Sequence, residues 1–139
     1  MQLKDAHVLI IDDNPQIRTL LSRTLGSVVA TVCDAADAIS GLGRWIAERP
    51  ELVFVDYEMP EVSGATFVKI LRAQETALGV RTAVLMITGH SDREHVLAAH
   101  EAGADGFIIK PLTTEDVLGR AAQALANLSQ GETREAVYL

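Results

Sequence analysis

Four short apolar runs in the chain each end on a residue able to bind a metal ion or a phosphoryl group. Val8 to Ile11 runs into Asp12-Asp13, Leu52 to Val55 into Asp56, Ala83 to Ile87 into Thr88, and Phe107 to Ile109 into Lys110-Pro111. If the runs are parallel strands, three carboxylates, one hydroxyl and one ammonium share one sheet edge, which is where open α/β folds bind ligands. Carboxylates held together repel: a pair about 4 Å apart costs roughly 1 kcal/mol in water and about 4 kcal/mol at an effective dielectric of 20. A cation relieves this. Oxygen-only ligands beside a phosphate favour Mg²⁺, and Lys110 would supply the remaining positive charge.

The elements that must position these residues are legible in the pattern. Strands are expected at His7–Asp12, Val28–Cys33, Leu52–Asp56, Ala83–Thr88 and Gly106–Lys110. Four are unbroken apolar runs, as expected when helices cover both faces of a parallel sheet; the second is weaker and suits an edge. Asn14-Pro15 supplies an N-cap and a proline at the first helical position. Ile17, Leu20, Leu21 and Leu25 then form an apolar stripe that Gly26 ends. Asp34 is expected to cap a second helix bearing Ile39, Leu42 and Ile46 and stopped by Pro50. Ser63 would cap a third, with Phe67, Ile70 and Leu71 facing the sheet. Ser91-Asp92-Arg93-Glu94 reads as a capping box for a fourth. Thr113 opens a fifth, with Val117, Ala121, Leu125 and Leu128 inward. Gly41 and Gly43 imply that the second helix is locally soft or closely packed against a neighbour.

Right-handed crossovers then give a flavodoxin-like, doubly wound, five-stranded parallel sheet in a three-layer α/β/α sandwich, strand order 2-1-3-4-5. In that order the first and third strands are neighbours, so Asp12, Asp13 and Asp56 converge. Residues 1–128 are expected to form one domain, and residues 129–139 a polar tail or linker stub.

Composition narrows the function class. The 139 residues are 48% hydrophobic and 22% charged, with a net charge of −7. That balance suits a globular domain and argues against a nucleic-acid surface. No apolar stretch approaches the ~20 residues a membrane span needs, and the N-terminus has no signal-peptide pattern. The single cysteine, Cys33, permits no internal disulfide. A cytoplasmic setting is the expectation. His90, His95 and His100 are about 140° apart around a helix, so they share no face for a zinc site. His7 reads as a strand-start residue, and Trp45 as either a cover for the second helix or a partner contact.

Asp12-Asp13, Asp56, Thr88 and Lys110-Pro111, with the strings Val55-Asp56-Tyr57-Glu58-Met59-Pro60, Ser63-Gly64 and Ala102-Gly103-Ala104-Asp105-Gly106-Phe107, resemble the receiver domain of two-component response regulators. The resemblance spans about Ala6 to Leu128. It implies that Asp56 accepts a phosphoryl group from the phosphohistidine of a sensor histidine kinase or phosphotransfer protein. It also implies Mg²⁺ bound by Asp13, Asp56 and the backbone carbonyl of Glu58, with Asp12 binding directly or through water. Lys110 would pair with the phosphoryl oxygens, across a cis Lys110-Pro111 peptide that only proline makes accessible. Thr88 and Phe107 would form the switch, read out on the fourth helix, fifth strand and fifth helix. The aromatic position is often tyrosine in this family; Phe107 has no hydroxyl to offer a partner. Glu58 and His90 would tune hydrolysis of the acyl phosphate. The first helix, Gln16 to Leu25, and the loop after Lys110 would dock the kinase.

The module so implied phosphorylates and dephosphorylates itself without turning over an independent substrate. Its partners would be the kinase and a downstream protein, with no nucleic acid or membrane, and a homodimer through the readout face is an option. Whether an effector follows in a longer protein is open. Each residue also has an ordinary reading: Asp13 as an acidic helix start, Phe107 as a core aromatic, Glu58 and His90 as solvated loop residues. The competing functions are a Mg²⁺-dependent phosphohydrolase passing through an aspartyl phosphate, a flavin-binding module, and a phosphorylation-independent protein-binding domain on the same fold. The first wants Asp-x-Asp on the first strand, which Asp12-Asp13-Asn14 lacks. The second wants a Ser/Thr-Gly-rich phosphate loop there, and Asp12-Asp13 would repel a phosphate.

Overall fold

The computed structural model describes residues 1–89 and 93–130. A 3₁₀ turn (Leu3–Asp5) leads into β1 (His7–Ile11), α1 (Pro15–Gly26), β2 (Thr31–Ala35), α2 (Ala38–Glu48), β3 (Leu52–Asp56), α3 (Gly64–Leu78), β4 (Ala83–Thr88), α4 (Arg93–Ala102), β5 (Gly106–Ile109) and α5 (Thr114–Gln130). The strands form one parallel sheet in the order β2-β1-β3-β4-β5. This is the flavodoxin-like, doubly wound arrangement expected from the apolar runs.

Alternation of side chains across each strand divides the core into two layers. Val8, Ile10, Phe54 and Leu85 pack with Leu21 and Leu25 of α1 and with Val117, Ala121 and Leu125 of α5. Leu9, Ile11, Val53, Val55 and Met86 pack with α2, α3 and α4. Every residue of β3 and β4 is buried, so these strands show no polar alternation.

The expected caps at three helices are present. Asn14 accepts from the Gln16 amide at 2.9 Å, Ser63 Oγ from Thr66 at 3.2 Å and Thr113 Oγ1 from Asp116 at 3.1 Å. These bonds satisfy amides that the first turn leaves without intrahelical partners. The Ser91 end of the capping box expected before α4 lies outside the described residues, as does the stretch 131–139. The helix α5 itself runs on to Gln130, past the expected boundary at residue 128.

Several sequence expectations are corrected. The second strand begins at Thr31 rather than Val28, because the amides of Val28 and Val29 both donate back to the Leu25 carbonyl at the end of α1. That shift places Asp34 within β2. Asp37 caps α2 instead, accepting from the Ser40 amide at 2.7 Å. Ala38, Gly41 and Trp45 are the buried residues of α2 and Leu42 packs half-buried against the same core, whereas Ile39 is 72% exposed and Ile46 46% exposed. Leu20 and Ile70 likewise face outward, while their neighbours Leu21 and Leu71 are fully buried. β1 and β5 each stop one residue before the expected end, at Ile11 and Ile109.

The face of α2 turns on two residues. A Cβ at Gly41 would meet the Ile11 side chain at 2.5 Å, so the missing side chain lets the helix lie against β1; Gly43 faces open space. Trp45 is fully buried, and its Nε1 donates to Thr82 Oγ1 at 2.9 Å. Burying an indole N–H without a partner costs about 1–2 kcal/mol. Thr82→Val is therefore expected to lower stability by that amount, read from a urea titration followed by the single tryptophan; an unchanged midpoint would sink the idea.

Candidate functional site

Where β1 and β3 pair side by side, their carboxyl ends bring the acidic residues together. Ligand oxygens of Asp12, Asp13 and Asp56 all lie within 4.8 Å of one another. Asp12 is fully buried and Asp56 is 4% exposed, while Asp13 faces solvent. One Asp12 oxygen accepts from the Asn14 amide at 2.8 Å; the other, Oδ2, is buried with no hydrogen-bond partner. A buried carboxylate oxygen without a partner is costly. That orphan atom, in an all-oxygen set, fits a hard divalent cation such as Mg²⁺. Among the described residues this is the only such cluster of acidic, histidine or cysteine side chains.

Lys110 follows β5, and its Nζ donates to Asp56 Oδ1 at 3.4 Å. The Lys110-Pro111 peptide is cis. The Lys110 amide donates to the Thr88 carbonyl at 2.8 Å, and the Tyr57 amide to that of Ile87 at 2.8 Å. These two bonds tie the ends of β3, β4 and β5 into one rim. Thr88 is 4% exposed at the end of β4.

The electrostatics follow from burial. Burial pushes the Asp56 carboxyl up to about 6, with the Asp12 charge adding to the effect and Lys110 opposing it. Asp12 is also raised, by burial first, against the Asn14 amide and Lys110. Both residues are carboxylates whose ionised form lacks enough positive charge nearby.

The segment between β3 and α3 is held closely to the site. Gly64 donates to the Tyr57 carbonyl at 2.9 Å, and a Cβ there would collide with the Asp56 carbonyl oxygen. Glu61 has a φ of 68°, a conformation that is uncommon for a residue with a side chain. Glu58 stands exposed in this segment, and its carboxylate is not one of the three in the cluster. Its expected partner in tuning hydrolysis, His90, lies outside the described residues.

Sequence reasoning missed Arg18. Its Nη1 donates to the Asp12 carbonyl at 2.7 Å, while its Nε pairs with Asp34 at 3.1 Å. It thus braces the segment that carries Asp12 and Asp13. Its place one turn after the Asn14 cap was visible, but the partner on β2 was hidden by the misplaced strand. Phe107, half-buried on β5, packs with the α2–α3–α4 core and lies opposite Met86 of β4. Thr88 is two residues beyond Met86 and so shares the face on which Phe107 lies.

Known proteins agree with this architecture. Chemotaxis protein CheY4 of Vibrio cholerae superposes with a TM-score of 0.80 at 31% identity, over 86% of this chain and 98% of that one. The DNA-binding dual master transcriptional regulator RpaA of Synechocystis is 32% identical over 118 residues, 85% of this chain and 48% of RpaA. A protein-glutamate methylesterase/protein-glutamine glutaminase of Myxococcus xanthus is 41% identical over 106 residues, 75% of this chain and 29% of the relative. The chain spans about half the length of the first curated relatives it matches. Residues 8–122 match the profile of the response regulator receiver domain. The chain belongs to that family of two-component signalling modules.

Proposed function

We propose that Asp56 is the phosphoryl acceptor of this receiver domain, and that its phosphorylation shifts the face formed by α4, β5 and α5. The observation that carries the reading is a buried Asp56 set between two further aspartates and the Lys110 ammonium. An Asp56 oxygen forms the new P–O bond as the P–N bond of a partner's phosphohistidine breaks, and the freed imidazole takes a proton. Asp12, Asp13, Asp56 and the Glu58 carbonyl would hold Mg²⁺. When bound, the ion neutralises charge on the transferring phosphoryl oxygens. Lys110 draws the same oxygens from the opposite side and gives up its contact with Asp56. Thr88 donates its hydroxyl to the phosphoryl group, and the space it leaves admits Phe107, which lies on the same sheet face. Glu58 and His90, two positions after Asp56 and Thr88 in the sequence, tune hydrolysis of the acyl phosphate. The donor is a sensor histidine kinase or phosphotransfer protein. Exposed Leu97 and Ile109 provide apolar contacts for a downstream protein or a second copy, and the acidic balance of the chain favours protein over nucleic acid.

Acetyl phosphate with Mg²⁺ tests this directly by intact-mass measurement. The expected result is a gain of one phosphoryl group, absent in Asp56→Asn and absent when a chelator removes the metal. An adduct that survives in Asp56→Asn would refute the assignment. Steady release of phosphate from a phosphomonoester would favour the phosphohydrolase reading. Trp45 is no reporter for this experiment: it is buried against Thr82, at the amino ends of the strands and away from the site.

A further inference from the structure

The edge of the sheet carries a contact that the chemistry above does not use. Phe107 lies on β5, the last strand in the sheet order, with its ring half-buried. The guanidinium carbon of Arg120, from α5, stands 5.6 Å from the centroid of that ring. α5 covers one face of the sheet, while Phe107 packs into the core on the other. The arginine therefore reaches past the open edge of β5 to meet the ring. A cation within ~6 Å of an aromatic centroid is attracted by the negative face of the ring. A planar guanidinium can also stack there in a way an ammonium cannot.

We propose that Arg120 is a positioning residue that latches Phe107 at the sheet edge and thereby sets how strongly the domain favours its resting state. The inference rests on the reading of Thr88 and Phe107 as the switch. A ring that moves inward beside Thr88 must leave the guanidinium, so the contact stabilises one of the two states and not the other. At a partly exposed position such a contact biases the equilibrium by roughly 2–5-fold. A phosphoryl group that prefers the inward state is bound more weakly by the factor that keeps that state scarce. Arg120 touches neither the acceptor nor the metal ligands. It acts through Phe107 alone.

The test uses beryllofluoride with Mg²⁺ as the phosphoryl mimic, on protein carrying 4-fluorophenylalanine. Phe54 and Phe67 are buried, and Phe107→Leu identifies the third ¹⁹F resonance. In the wild type that resonance is expected to move when beryllofluoride binds. In Arg120→Gln it should lie part of the way towards the bound position beforehand, with beryllofluoride bound roughly 2–5-fold more tightly. Arg120→Lys should fall between the two, and the folding equilibria of all three from urea titration should differ by no more than that same roughly 2–5-fold factor, which separates a latch from a general loss of structure. If the ring responds in the wild type but Arg120→Gln binds no more tightly, or more weakly, the latch is overturned and the switch stands. If the wild-type resonance does not respond to bound beryllofluoride, the switch reading fails and takes the latch with it.

Discussion

Arg72→Ala is expected to lower the unfolding free energy by about 3–5 kcal/mol, the usual effect of removing one partner from a buried ionic cluster. From α3, the Arg72 guanidinium donates to both Glu75 oxygens at 2.9 and 2.8 Å. It also donates to Asp105 Oδ2 at 2.8 Å, and to the carbonyls of Thr82 at 2.7 Å and Gly103 at 2.9 Å. Glu75 accepts from the Thr82 amide and Asp105 from the Val84 amide. One side chain thus fastens α3 to the start of β4 and to the loop between α4 and β5. Its removal leaves two shielded carboxylates facing each other without a cation. Replacing all three groups together (Arg72→Met, Glu75→Gln, Asp105→Asn) should recover most of the loss, because the uncompensated charges go with the arginine. Urea unfolding followed by Trp45 measures both proteins. A single variant within 1 kcal/mol of the wild type would contradict the account.

Asp56→Asn is expected to stabilise the metal-free protein at neutral pH by about 2–3 kcal/mol, although it removes the proposed acceptor. In the fold Asp56 takes up its proton near pH 6, against 3.8 for the ordinary carboxyl. Between these values the folded chain holds a proton that the unfolded chain has released. Stability contributed by this group therefore falls as pH rises through that window, and the penalty is complete above it. At about 1.4 kcal/mol for each pH unit, a displacement of this size gives the stated figure. Asparagine has the same shape and no charge to desolvate. Stability of the wild type measured from pH 4 to pH 8 without metal should decline across the window while the variant stays flatter. Mg²⁺ should then stabilise the wild type by mass action and the variant less, since one ligand has lost its charge. A variant less stable than the wild type in chelator at neutral pH would show that burial does not strain this carboxylate.

How much of the site was legible depends on the range of each signal. The ends of β1, β3 and β4 were readable because a strand buried on both faces must be apolar, so its first polar residue marks the rim. The caps at Asn14, Ser63 and Thr113 were readable because a cap is made within three residues. The edge strand β2 was misplaced because Val28 and Val29 have strand-like side chains but spend their amides on the end of α1. Helix faces were harder. In α2 the apolar residues surround the axis, and Gly41 against Ile11 decided which of them turned inward.

The sequence by itself determined the sheet order, the acidic rim and the lysine opposite it. Burial of apolar runs, chain handedness and helix capping act locally or follow general rules of connection. Only the tertiary structure decided that Asp56 would be shielded enough to take up protons near pH 6, that Arg72 would reach Asp105 across 33 residues of chain, and that Arg120 would stand over Phe107. These depend on what surrounds a charge or a ring once distant segments have packed. No local pattern carries that information.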